Sequence, residues 1–319
     1  MIRAAVICAS LLAASPLAAR DPLLGWPLDC VPGESCFIQN YPDADPGPGA
    51  VDFTCGPLSY DGHNGVDISL YSRAAMRAGV SVRAAAPGLV RAVRDGEPDD
   101  GSVIAGKECG NGVVLDHGGG WTSQYCHMKR GSVAVAPGQR LAVGTDLGKV
   151  GFSGQTEFPH LHFELRRNGR VVDPFNKDTV QVCNDVFVQG LWLTPPAYQP
   201  GGLISAGMAL GVPEYAAVRD GLANVETAGG DAPALVIWAY AFGVRAGDVL
   251  RLALVGPGGE ELASRDVPVE RSLARIFRAV GKRRPSGGWA PGVYTGTSQL
   301  LRKGEAIGPV LVRMIVIRR

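Results

Sequence analysis

Beyond its first residues this chain has no apolar run approaching the twenty or so residues that a membrane-spanning helix needs, so none is expected in the rest of the sequence. It has no CxxC pair, which removes the usual signature of a structural zinc site. Histidine is scarce: there are five, all between positions 63 and 162, and none in the second half. A surplus of one charge sign is also missing, since the net charge is +1. No true repeat or low-complexity tract interrupts the sequence.

The near-neutral total hides an asymmetry. Residues 20–200 carry 15 basic and 20 acidic side chains, a balance of −5, whereas residues 201–319 carry 15 and 10, a balance of +5. A basic second half suits an anionic polymer, although a solvated surface without a partner explains the same count. Between the halves, residues 194–207 hold three prolines and three glycines, the composition of a domain boundary. The expected layout is a signal peptide over 1–19, an N-terminal disulfide-containing segment over 20–59, a catalytic domain over 60–194, a linker over 195–207 and an accessory domain over 208–319. Residues 1–19 have the order of a secretory signal: Arg3, an apolar stretch, then Leu17-Ala18-Ala19.

Six cysteines remain after that segment, an even number that favours disulfides in an exported chain. Cys109 and Cys126 flank an expected hairpin turning at Gly118-Gly119-Gly120, which brings them together at its open end. The other four have three possible pairings, of which Cys30 with Cys36 is the most local. Throughout, short runs of β-branched and apolar residues alternate with turn signals, and one helix is expected near Ala74–Ala78. The fold class is mostly β, with ALVIWAYAF, DVLRLALVGPGGEELA and GVYTGTSQLL as strands of a small sandwich in the second half.

Three elements carry the chemistry. In PHLHFELR (159–166), strand alternation puts Leu161, Phe163 and Leu165 on a core face and His160, His162 and Glu164 on the other. In HNGVD (63–67), a straight strand would hold His63 and Asp67 about 13 Å apart, and the Asn64-Gly65 pair favours a bend that brings them back together. In QYCHMK (124–129), alternation puts Tyr125 and His127 on one face and Cys126 on the other. Each element alone is matched or outweighed by a bland reading: surface histidines, a surface turn, a satisfied histidine at a strand end.

Taken in order, HxxxD, YxH and HxH resemble the lysostaphin/LytM family of zinc metallopeptidases (the M23 peptidases), over about residues 60–176. The resemblance implies a LytM-like antiparallel catalytic sheet and Zn²⁺ held by His63, Asp67 and His162. It implies His160 and His127 as the catalytic pair, with His160 assigned as base and His127 as oxyanion partner, roles that can be exchanged. His117 is expected to be structural, and Glu164 to pair with a neighbouring cation. The implied activity is hydrolysis of peptide bonds in peptidoglycan cross-links or stems, in the periplasm or outside the cell. The implied partners are a peptidoglycan peptide and an anionic cell-wall polymer on the basic domain, with no nucleic acid. The alternative on the same fold is a non-catalytic LytM-like regulator of cell-wall enzymes. A cupin-type metal site fits poorly, because Glu164 follows HxH too soon and no histidine comes later.

Overall fold

The computed structural model describes residues 20–177 and 190–318. The expected signal segment and Cys183 lie outside these residues.

In the first half the strands are β1 (Cys36–Asn40), β2 (Val66–Leu70), β3 (Ser81–Arg83), β4 (Gly88–Arg94), β5 (Asn111–Gly118), β6 (Trp121–Met128), β7 (Arg140–Leu141), β8 (Asp146–Lys149), β9 (His160–Arg167) and β10 (Arg170–Val171). Eight of them form one sheet in the order β1-β2-β9-β6-β5-β4-β7, with β10 on β9, while β3 and β8 pair separately. One face of the large sheet covers an apolar core that includes Leu161, Phe163 and Leu165 from β9 and Tyr125 from β6. The β5–β6 hairpin turns through Gly118, Gly119 and Gly120, all with positive φ. At its open end Cys109 and Cys126 are bridged, and Cys30 is bridged to Cys36. Helix α1 (Arg73–Ala78) starts at Ser72, whose side chain accepts from the Ala75 amide, a standard N-cap.

The segment 20–59 is not separate from this sheet. Its strand β1 pairs with β2, and Leu24 and Leu28 sit in the same core as the sheet. A sequence boundary at residue 60 divides chain that packs as one body.

The second half contains β11 (Gly202–Ala209), helix α2 (Tyr215–Asp220), β12 (Thr227–Gly229), β13 (Ala234–Val244), β14 (Val249–Val255), β15 (Glu261–Pro268), β16 (Leu273–Arg283), β17 (Gly292–Arg302), β18 (Glu305–Ala306) and β19 (Leu311–Arg318). A three-stranded sheet, β11-β13-β16, faces a six-stranded one in the order β12-β19-β17-β14-β15, with β18 on β17. Because β11 begins at Gly202, the second domain starts inside the stretch expected as linker.

Strand β13 explains how the halves join. Its residues Leu235, Ile237, Ala239 and Ala241 enter the core between the two sheets. Trp238, Tyr240 and Phe242 point the opposite way and pack with Phe37 of β1. The three-stranded sheet is therefore covered on both faces, which is why ALVIWAYAF runs apolar rather than alternating. At this contact the Phe37 and Phe242 rings lie 4.3 Å apart and Phe37 also meets Tyr71 at 5.2 Å.

Candidate metal centre

Strands β2 and β9 are antiparallel, with Asp67 opposite His162 and Ser69 opposite His160. Opposed residues share a face at about 4.5–5.5 Å, so the pairing puts a carboxylate beside two imidazoles. His63 stands in the loop before β2, where its amide bonds the Tyr60 carbonyl at 2.9 Å. Its Nδ1–H donates to the Tyr41 carbonyl at 2.7 Å, which turns Nε2 toward Asp67 Oδ1 at 3.2 Å.

The bend between His63 and Asp67 works differently from the expected Asn-Gly turn. Neither Asn64 nor Gly65 has positive φ; Gly62 does, at 73°. What glycine supplies at 65 is space, since a Cβ there would fall 2.6 Å from the His162 ring.

His127 also departs from simple alternation. Tyr125 is opposite Phe163 and packs in the core, while Cys126 is opposite His162 on the other face. Alternation alone would send His127 into the core with Tyr125. Instead a register shift interrupts β5–β6 here and His127 adopts φ 62°, which turns its ring back to 4.6 Å from that of His160. Its Nδ1–H donates to the Ser153 carbonyl at 2.8 Å. His160 is pinned the same way, with Nδ1 at 2.9 Å from the Phe158 carbonyl and Nε2 at 3.3 Å from Asp67 Oδ1.

All five expected residues thus meet in one place. The atoms His63 Nε2, Asp67 Oδ1 and His162 Nδ1 are separated by 3.2, 2.8 and 3.4 Å. A tetrahedral zinc with bonds of 2.0–2.2 Å places its ligand atoms roughly 3.3–3.6 Å apart; the His63–His162 separation falls in that range and the two to Asp67 Oδ1 are shorter, so the three atoms are gathered around one point, more tightly than a zinc would hold them. His127, His160 and His162 form a second, overlapping group close enough to hold a metal. Only the first group includes a carboxylate.

Electrostatics follow from this crowding. Burial alone would raise the Asp67 carboxyl, but His63 and His160 beside it pull it well below the usual carboxylate range. Burial opposes protonation of His63, yet the Asp67 carboxylate outweighs it and the net shift is upward. His127 is held well below an ordinary histidine, first by burial and then by the charges possible on His160 and His162.

Other residues of the site were not foreseen from sequence. Asn40, at the end of β1, donates Nδ2–H to Asp67 Oδ2 at 2.9 Å and so fixes the carboxylate from behind. Tyr60 lays its ring against His63 at 4.4 Å. Thr156 Oγ1 approaches His160 Nδ1 at 3.1 Å. His117 lies apart, spanning the Pro87 carbonyl and the Ser123 hydroxyl as a structural brace, and Glu164 pairs with Arg166.

Residues 61–174 match the family model of Peptidase family M23. This segment is an M23 peptidase domain. The chain that carries this M23 domain is 35% identical over 77 residues to the peptidoglycan DD-endopeptidase ShyA of Vibrio cholerae, covering 23% of this chain and 17% of that protein. It is 34% identical over 98 residues to the cell division protein DipM of Caulobacter vibrioides, covering 30% and 15%. Among solved structures, the catalytic domain of the prophage-encoded M23 protein EnpA from Enterococcus faecalis is 26% identical, with 43% of this chain and 88% of that one covered at a TM-score of 0.31. The chain thus spans less than a fifth of the length of either curated relative.

The M23 domain and the second domain together line a cleft of about 1100 Å³ that contains Asp67, His127, His160 and His162. Its walls include Asn40 and Tyr60 from the first domain and Tyr215, Tyr240 and Arg275 from the second.

Proposed function

We propose that this protein is a zinc-dependent endopeptidase that hydrolyses peptide bonds in peptidoglycan cross-links or stems. The observation that carries this reading is the convergence of His63 Nε2, Asp67 Oδ1 and His162 Nδ1 within 3.4 Å of one another, with two further imidazoles beside them. M23 peptidases are zinc-dependent, and two nitrogens with one carboxylate oxygen are a donor set that zinc accepts. A zinc held by these three residues would supply a water of pKa about 7 and polarise the scissile carbonyl.

The chain's own part is proton transfer. In both His127 and His160 the Nδ1–H is committed to a backbone carbonyl, so the neutral ring offers a bare Nε2 as acceptor. Burial keeps His127 neutral, which suits it to take the proton of the attacking water. The resulting Nε2–H can then donate to the leaving amine. This favours exchanging the roles assigned from sequence: His127 as base, and His160, whose Nε2 beside the Asp67 carboxylate can donate only when it carries a second ring proton, as donor to the developing oxyanion in that form. Ser153 and Phe158 act by holding the rings, not by chemistry.

The bridges Cys30–Cys36 and Cys109–Cys126 support an oxidising compartment, the periplasm or the cell exterior. Digestion of purified sacculi, followed by mass spectrometry of the released fragments, tests the reading. The expected result is stem-peptide products from the wild type and none from His162→Ala, which should also lose stoichiometric zinc. Zinc retained in both His63→Ala and His162→Ala would remove the ligand assignment. Intact sacculi with a zinc-loaded wild type would favour the regulator instead.

A further inference from the structure

The second domain does more than adjoin the cleft. Arg275, on β16, reaches across the interface and is held there by neutral groups alone: Nε donates to Gln39 Oε1 at 3.0 Å and the terminal nitrogens to Tyr240 Oη at 3.3 Å and Ser69 Oγ at 3.4 Å. Its guanidinium lies 3.7 Å over the Phe158 ring. Phe158 is the residue whose carbonyl pins His160, so this cation stands one residue away from the catalytic pair. Arg219, on α2, also lines the cleft; it lies 5.1 Å over the Tyr215 ring, and its Nε is buried without a hydrogen-bond partner.

Among the described residues neither guanidinium has a carboxylate partner. Other arginines near this interface do: Arg302 is tied to Asp248, and Arg73, on the facing wall, lies 3.7 Å from Asp220. The acids that share the cleft, apart from Asp67, are Asp100 and Glu157. Asp100 is occupied by the Ser102 amide and hydroxyl, and the exposed Glu157 borders the same recess as both arginines without an ion pair to either. Two unneutralised arginines on one wall, one of them held rigid by stacking, present the fork geometry that binds carboxylates.

We infer that Arg275 and Arg219 form a carboxylate-binding subsite, so that the preferred peptide carries a free carboxylate a short distance from the scissile bond. This rests on the peptidase reading for its substrate, but not for its test. The second domain would then be part of the substrate site, whereas a remote wall anchor would not touch it.

The test uses the full zinc-loaded chain in a His127→Ala background, so that binding is measured without turnover. Two synthetic cross-linked stem peptides are compared by calorimetry, one with free α-carboxylates and one with those groups amidated. A hydrogen-bonded charge pair predicts tenfold or more preference, roughly, for the acid form. Arg219→Gln and Arg275→Gln should each shrink that ratio, mainly by weakening the acid form, while Arg275→Lys keeps part of it. Equal binding of both peptides by the unsubstituted arginine pair would overturn the subsite. So would an equal loss on both peptides in the two Gln variants, which is what a purely structural role produces. Acid preference in a protein that leaves sacculi intact would keep the subsite and discard the peptidase reading.

Discussion

The two domains are both β-sheets over apolar cores, and they differ in what else they bury. The M23 side buries His63, Asp67, His127, His160, Asp52 and Asp173. Among the described residues of the second domain the fully buried polar side chains are Asp248 and Ser298, and Asp248 is matched by Arg302. Buried ionisable groups are costly unless paired or bound to metal. The second domain gathers no such cluster, and its one buried carboxylate among the described residues is paired.

That contrast can be broken most sharply at His127. Replacing it with alanine should lower kcat on soluble muropeptides by ~10²–10⁴-fold, the range for a lost general base, with zinc content measured by mass spectrometry unchanged. If zinc leaves as well, the three-histidine group holds the metal and the division between ligands and proton carriers fails.

The next effect in size belongs to the second domain. Leu252 is fully buried between its sheets, so Leu252→Ala should cost ~2–5 kcal/mol in urea denaturation. Zinc bound per folded molecule should not change. Loss of zinc in step with stability would mean that the domains unfold as one unit.

Asp173 gives the smallest effect and probes the buried charge of the M23 side. Burial, with a contribution from the Asp52 carboxylate, raises its pKa from 3.8 to about 7. Below pH ~4 both folded and unfolded chains hold the proton, and the stabilising contribution is fully present. Between ~4 and ~7 only the folded chain holds it, so stability falls as pH rises, by on the order of 1–4 kcal/mol in total. Asp173→Asn should flatten that part of the pH profile relative to wild type; parallel profiles for the two proteins would show that Asp173 is not protonated in the fold.

Much of the site was legible in local patterns. Alternation in PHLHFELR correctly separated the core face from the histidine face, and a three-glycine turn located the hairpin and its disulfide. Two things were not legible. Asn40 reaches Asp67 only because β1 pairs with β2 across 27 positions, and nothing local in CFIQN signals that partner. His127 faces the site because a bulge and a left-handed backbone reverse the strand's parity, so counting by twos gives the wrong face. Gly65 was singled out for the right place and the wrong cause: it yields room to a ring from a strand nearly a hundred residues away. The same limit hid how the second domain packs, since its unbroken apolar strand marks two buried faces without saying that one of them meets β1.

Asp67 and His162 are 95 positions apart in sequence and become neighbours only when β2 and β9 zip together. An unfolded chain therefore carries both residues but no site until that long loop is closed. If zinc binds there as proposed, metal capture fastens that seam of the sheet. Its free energy is drawn on by folding itself, so a chelator should loosen the seam between two strands as well as stop a reaction.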